Sequence, residues 1–143
     1  MTTIVATPAV PAQDIERLAA QFIDFLESGA VAPDLFAEDV FADVNVPQWR
    51  LQAADLEGTL AIRRDGHPMS GRVARHRLDP TPTGFVLEFE EEWEQGGRPW
   101  QAREMIPFDV REGRIVVLSV FCTGDWSPEQ VAAHATMVTM LRP

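Results

Sequence analysis

The chain contains no tyrosine among its 143 residues. Mechanisms that need a phenol, either to donate a proton or to hydrogen-bond an oxyanion, are therefore closed to it. Cysteine is almost as scarce. Cys122 stands alone, which excludes an intramolecular disulfide and a multi-cysteine metal site and fits a reducing compartment, so a cytoplasmic location is expected. Positive charge is short as well: 12 basic residues face 22 acidic ones, for a formal net charge of −10. Such a surface repels phosphate and anionic lipid, so neither nucleic acid nor membrane is an expected partner. No apolar run reaches the length of a membrane span, and "MTTIVATPAVPAQD" lacks a charged leader followed by a continuous apolar stretch, which reads as a soluble, unexported chain. His67, His76 and His134 have no metal-ligand spacing, and the glycines form no phosphate-binding signature. No metal and no cofactor are expected.

What is present suffices for one domain. Hydrophobic residues make up 45% of the chain, enough for a sizeable core at this length. Residues 1–12, with Pro8 and Pro11 among small residues, read as a flexible arm, and 13–143 as a single domain. Ile15, Leu18, Phe22 and Phe25 recur at helical spacing until Ser28-Gly29, which predicts an amphipathic first helix. "APDLFAED" suggests a short second helix, "VFADVNVP" alternates as a strand up to Pro47, and "AADLEGTLAIRRDG" is a weaker helix ending near Gly66. Four strand-like segments follow at about 71–79, 84–95, 98–110 and 114–123, separated by "DPTPTG", "QGGR" and "REGR". Linkers this short imply antiparallel hairpins, hence a meander. "SPEQVAAHATMVTML" closes the chain as a helix, with Ser127 as N-cap and Pro128 at the first helical position.

Helix, helix, strand, helix and four-stranded meander describe an α+β domain: a cone-shaped, curved antiparallel sheet packed on N-terminal helices around a hydrophobic pocket. This order, with "LFAEDVFADVNVPQW" and "DVREGRIVVLSVFCTGDW", resembles the nuclear transport factor 2-like superfamily, in particular its SnoaL-like branch, over residues 13–126. The resemblance implies a barrel-like α+β shell, a homodimer formed through the sheet, and one of many uses, among them isomerase, cyclase, epoxide hydrolase and non-catalytic binding module.

Within "FVLEFEEEWEQGGRPWQAREM", strand alternation puts Phe85, Leu87, Phe89, Glu91 and Trp93 on one face and Val86, Glu88, Glu90, Glu92 and Glu94 on the other. A two-residue turn at Gly96-Gly97 sets Trp93 opposite Trp100, Glu90 opposite Arg103 and Glu92 opposite Gln101. The outer glutamates then form a ladder with Arg103, Arg75 and Arg77, a solvated or dimer-contacting surface. Glu91 lies inside, diagonal to Glu104, whose strand turns Trp100, Ala102, Ile106 and Phe108 the same way. Two carboxyls on one apolar wall raise at least one pKa, which makes a general acid or base usable near neutrality. The structural alternative is that Arg72 pairs with Glu91 and Glu104 caps a buried donor.

His76, grouped with Ala74 and Leu78 on the presumed inner side, is a candidate proton shuttle. Asp43 and Asn45, two residues apart, share a face. In limonene epoxide hydrolase-like members the resemblance implies a phenol and an asparagine at this spacing, which hold a water; Asn45 matches the asparagine and Asp43 replaces the phenol. The same resemblance implies a last-strand aspartate, but its place falls at about Val120, on an inner face with Leu118 and Cys122. Any catalysis therefore draws on Glu91, Glu104, His76 and Asp43, with Asn45, Trp49, Arg72, Trp93, Trp100 and Val120 holding the ligand. Two readings stay open: a cofactor-independent isomerase, cyclase or hydrolase acting on a hydrophobic polyketide-, terpenoid- or steroid-like molecule, or a ligand-binding or dimeric assembly module without turnover. Asp125 reads as loop and helix-start chemistry, and Cys122 as core.

Overall fold

The computed structural model describes residues 9–68 and 70–142; most of the N-terminal arm lies outside these residues. Helix α1 (Ala12–Ser28) buries Ile15, Leu18, Ala19, Phe22, Phe25 and Leu26 on one face. It ends where Gly29 adopts a left-handed φ of 77° and donates its N–H to the Phe25 carbonyl at 2.9 Å, a conformation a Cβ would oppose.

The expected second helix is absent. After a turn at residues 33–35 the chain runs straight into strand β1 (Phe36–Val46). The helix-like signal has an identifiable origin. Phe36 and Val40 are buried while Glu38, midway between them, is exposed, in a strand whose register against β6 jumps between Phe36 and Phe41. Such a bulge breaks the two-residue alternation and mimics a helical spacing. Strand β2 (Trp49–Ala53) was not legible either. It is an edge strand, exposed at four of its five residues, so it carries no hydrophobic alternation.

Helix α2 (Leu56–Gly66) starts at Asp55, whose carboxylate accepts from the Gly58 N–H at 2.7 Å. Strands β3 (Arg72–Pro80), β4 (Gly84–Gln95), β5 (Arg98–Arg111) and β6 (Arg114–Cys122) form the meander, and helix α3 (Pro128–Met137) follows, with the Ser127 hydroxyl accepting from the Gln130 N–H at 3.2 Å. The six-stranded sheet has the order β2-β1-β6-β5-β4-β3. Its pairings are antiparallel except β1 against β6, which is parallel. This parallel pair corrects the expectation of a wholly antiparallel sheet, and β2 and β3 remain as open edges.

Across the Gly96-Gly97 turn, Trp93 faces Trp100, Glu90 faces Arg103 and Glu92 faces Gln101. Phe85, Leu87, Phe89, Glu91 and Trp93 are all buried, so β4 turns its apolar alternate residues inward. There they meet α1: Phe22 packs edge-on against Phe108 at 4.9 Å, and Phe108 stacks on Phe85 at 4.5 Å. On the outer face Glu90 lies between Arg75 and Arg103 at 3.4 and 3.3 Å, and Glu92 pairs with Arg72.

Candidate functional site

Between α1, α2 and the concave face of the sheet lies a cavity of about 530 Å³, within the range of small-molecule sites. Most of its wall is apolar: Phe22, Phe25 and Phe36 close one side, and Ala42, Val44 and Val46 of β1 line another. The polar exceptions come from three places. Thr59, Arg63 and His67 belong to α2 and its C-terminal cap, Glu104 to β5, and Asp125 to the segment after β6.

The centre of the site is a chain of charged groups. The Arg63 guanidinium donates to both carboxylate oxygens of Glu91, at 2.8 and 3.1 Å, and also to the Leu26 carbonyl at 3.1 Å. Both partners are removed from water, with side-chain exposures of 18% and 3%. A bidentate fork of this kind is the geometry in which an arginine best compensates a buried carboxylate. Glu104 stands beside this pair and opens onto the cavity. Burial pushes its carboxyl well above the usual range, and the negative charge of Glu91 and a hydrogen bond with it push further; Arg63 only partly opposes them. Glu104 is thus a carboxylic acid that keeps its proton where exposed glutamates have lost theirs.

The expected site residues separate into groups. Glu91 and Glu104 come together, and Val120 lines the cavity beside Leu118 and Cys122. Trp93 and Trp100 stack at 6.5 Å behind the glutamates, with Trp93 buried. Arg72 does not pair with Glu91; it lies exposed on the outer face, bound to Glu92, and Arg63 takes the expected place. His76 is exposed on the edge strand, paired in register with Phe89, outside the cavity. Its register with Phe89 keeps it on the same face as Leu78, as expected, but exposed at the sheet edge; the bulge between Val73 and Arg75 instead shifts Arg72 to the outer face, opposite Glu92. Asp43 and Asn45 point away from the residues of β1 that line the cavity. Asp43 accepts from Arg50 at 2.7 and 2.9 Å, and this bond holds its carboxyl below its ordinary value, while Asn45 donates to the Val120 carbonyl at 3.2 Å. Trp49 is 70% exposed.

Thr59, Arg63, His67 and Thr123 line the cavity without a role there expected from the sequence, and Asp125 reads in the sequence only as loop and helix-start chemistry. The first two and Ile62 and Gly66 recur at i, i+3, i+4 and i+7, the spacing of one helix face. That signal was obscured by Leu56 and Leu60, which suggested a different apolar side.

Cys122 also borders the cavity. Burial, then the neighbouring Glu104, push its thiol up to about 12, and its sulfur accepts from the Gly124 N–H at 3.3 Å. Alkylation proceeds through the thiolate. At pH 8 iodoacetamide is therefore expected to label native Cys122 at least about a hundredfold more slowly than the unfolded chain. Equal rates, followed by mass spectrometry, would contradict a buried, protonated thiol.

No protein-family model and no curated protein matches this chain. Solved structures do. An NTF2-like protein from Anabaena variabilis is 19% identical with a TM-score of 0.64, over 82% of this chain and 96% of that one. A proposed polyketide cyclase from Xanthomonas campestris is 18% identical with a TM-score of 0.61, over 76% of this chain and 89% of its own. A proposed isomerase from Rhodopseudomonas palustris is 12% identical with a TM-score of 0.60, covering 76% and 88%. The fold is that of the nuclear transport factor 2-like proteins: an unclosed, curved sheet wrapped around its helices.

Proposed function

We propose that this chain binds a hydrophobic, oxygen-bearing small molecule in its cavity and moves protons on it without a cofactor, as an isomerase or cyclase would. One observation carries the reading: Glu104, a carboxyl whose pKa is raised by burial and by Glu91, opens onto an apolar cavity next to an ion-paired Glu91. A neutral acid in a dry site can donate to a carbonyl oxygen as negative charge develops there, the role that carboxylic acids of raised pKa play in enolisation. Glu104 is the proton donor. Glu91, already engaged by Arg63, positions Glu104 and holds its proton on. Asp125 lines the same cavity and makes no ion pair among the described residues, so its carboxylate is the base. In this scheme the proton leaving the carbon next to the carbonyl passes to Asp125 while the carbonyl oxygen takes the proton of Glu104. Reversal at a different carbon gives an isomer, and attack of the enol carbon on a second carbonyl closes a ring. The names of the cyclase and isomerase neighbours agree with this class of chemistry.

Carboxyl-carbon NMR tests the reading directly. One glutamate carboxyl is expected to titrate well above the reference of about 4.3 and to vanish from the spectrum of Glu104→Gln. In D₂O, wild-type protein is expected to accelerate exchange of the hydrogens next to the carbonyl of tetralone, and Glu104→Gln to lose that acceleration. If every glutamate titrates in the ordinary range, the acid–base reading fails and a binding module without turnover takes its place.

A further inference from the structure

The chemistry of Glu104 leaves two polar side chains on the cavity wall unexplained. Thr59 is only 7% exposed, and its hydroxyl has no hydrogen-bond partner among the described residues. A helical threonine commonly returns its hydroxyl to a carbonyl in the preceding turn, but the Thr59 hydroxyl makes no such bond. His67 presents a parallel case: both ring nitrogens are buried without a partner among the described residues, and its ring meets Trp93 edge-on at 4.4 Å. Buried polar atoms are nearly always paired, because leaving one unpaired forfeits its hydration without return. Valine or phenylalanine would fill these positions without that penalty.

The two residues belong to one helix and its cap and line one cavity. Eight residues of helix separate them by roughly 12 Å, with Arg63 midway, one turn from each. Arg63 is spoken for by Glu91, and it is the one arginine on the cavity wall, which Glu104 and Asp125 share. An anionic ligand would therefore find no free arginine, whereas a hydroxyl, which both donates and accepts, suits a threonine hydroxyl and an imidazole ring alike.

We propose that Thr59 and His67 are ligand-binding residues, and that the cavity takes a neutral, elongated, apolar molecule bearing hydroxyl groups on either side of the carbonyl held by Glu104. This specificity rests on the reading of Glu104 as the carbonyl donor, but it makes a separate demand, namely that affinity depend on the ligand's hydroxyls.

The test compares flavanone, an apolar ketone, with flavanones carrying one hydroxyl on the remote phenyl ring or on the fused ring, titrated calorimetrically against wild type, Thr59→Val and His67→Phe. Wild type is expected to bind at least one hydroxylated form about tenfold more tightly than flavanone, the value of about one well-placed hydrogen bond. Thr59→Val or His67→Phe should erase that preference for the corresponding isomer. Thr59→Val keeps the side-chain shape, and its thermal midpoint should equal or exceed that of wild type, so lost preference cannot be assigned to misfolding. Equal affinity of wild type for all three compounds, no binding of any, or a preference that survives both substitutions overturns the proposal. Failure of the Glu104 reading registers elsewhere, as an ordinary glutamate titration, and leaves a hydroxyl preference measurable.

Discussion

Glu104→Gln is expected to overtake wild type in stability as the pH rises. The folded carboxyl holds its proton well above the usual range, driven by burial and then by Glu91, whereas in the unfolded chain it ionises near 4.3. Between these two values the native state binds one more proton than the unfolded state, so unfolding free energy falls with pH by about 1.4 kcal/mol per unit. The stabilising contribution of the protonated form is complete below about pH 4.3 and is lost on the way up to the folded pKa. Glutamine keeps the shape and a hydrogen-bond donor for Glu91 but has no proton to lose. Urea unfolding curves of the two proteins at pH 4, 6 and 8 should therefore diverge, with the variant gaining on wild type from about pH 4.3 up to the folded pKa of Glu104. Parallel stability profiles would show that Glu104 ionises as an exposed glutamate does.

The second large effect belongs to Arg63. Replacement by methionine preserves much of the aliphatic stem but strands the Glu91 carboxylate, which is 3% exposed and loses both of its guanidinium bonds. It also frees the Leu26 carbonyl near the end of α1. Breaking a buried pair by removing one member costs about 3–5 kcal/mol, most of it the penalty of the orphaned charge. Arg63→Met is expected to fall by this amount in denaturant unfolding at pH 7. Adding Glu91→Gln removes the stranded charge and should restore more than half of the loss. If the single variant loses less than about 1 kcal/mol, the pair is open to water and belongs with the surface bridges.

Much of this arrangement can be read from the sequence because strands obey a short-range rule. The spacing from Phe85 to Trp93, and a glycine pair that fixes the turn, are enough to bring Glu91 and Glu104 to one wall. The illegible parts arise where that rule is locally suspended or where partners come from distant elements. Bulges in β1 and β3 misplace the residues around Phe36 and Arg72. Asp43 follows alternation faithfully, but the face it shares with Asn45 is the outer one. The partner of Glu91 sits on α2, 28 residues before it, and no local pattern announces that a helical arginine will turn inward. Arg72 lies nearer in the meander and carries the same charge, yet strand register gives it to Glu92.

The parallel pairing of β1 with β6 has a kinetic consequence. Asn45 meets Phe121, and Val44 meets Val120, so the strand that supplies one wall of the cavity waits for a partner more than seventy residues later in the chain. Hairpins β3 to β6 can zip from their turns within microseconds, but closing so long a loop is entropically slow. Until it closes, the aromatic face of α1 has only part of its sheet to rest on. The rate-limiting event in folding should therefore be the arrival of β1 and β2 on a meander already formed, with the cavity coming into being only at that last step.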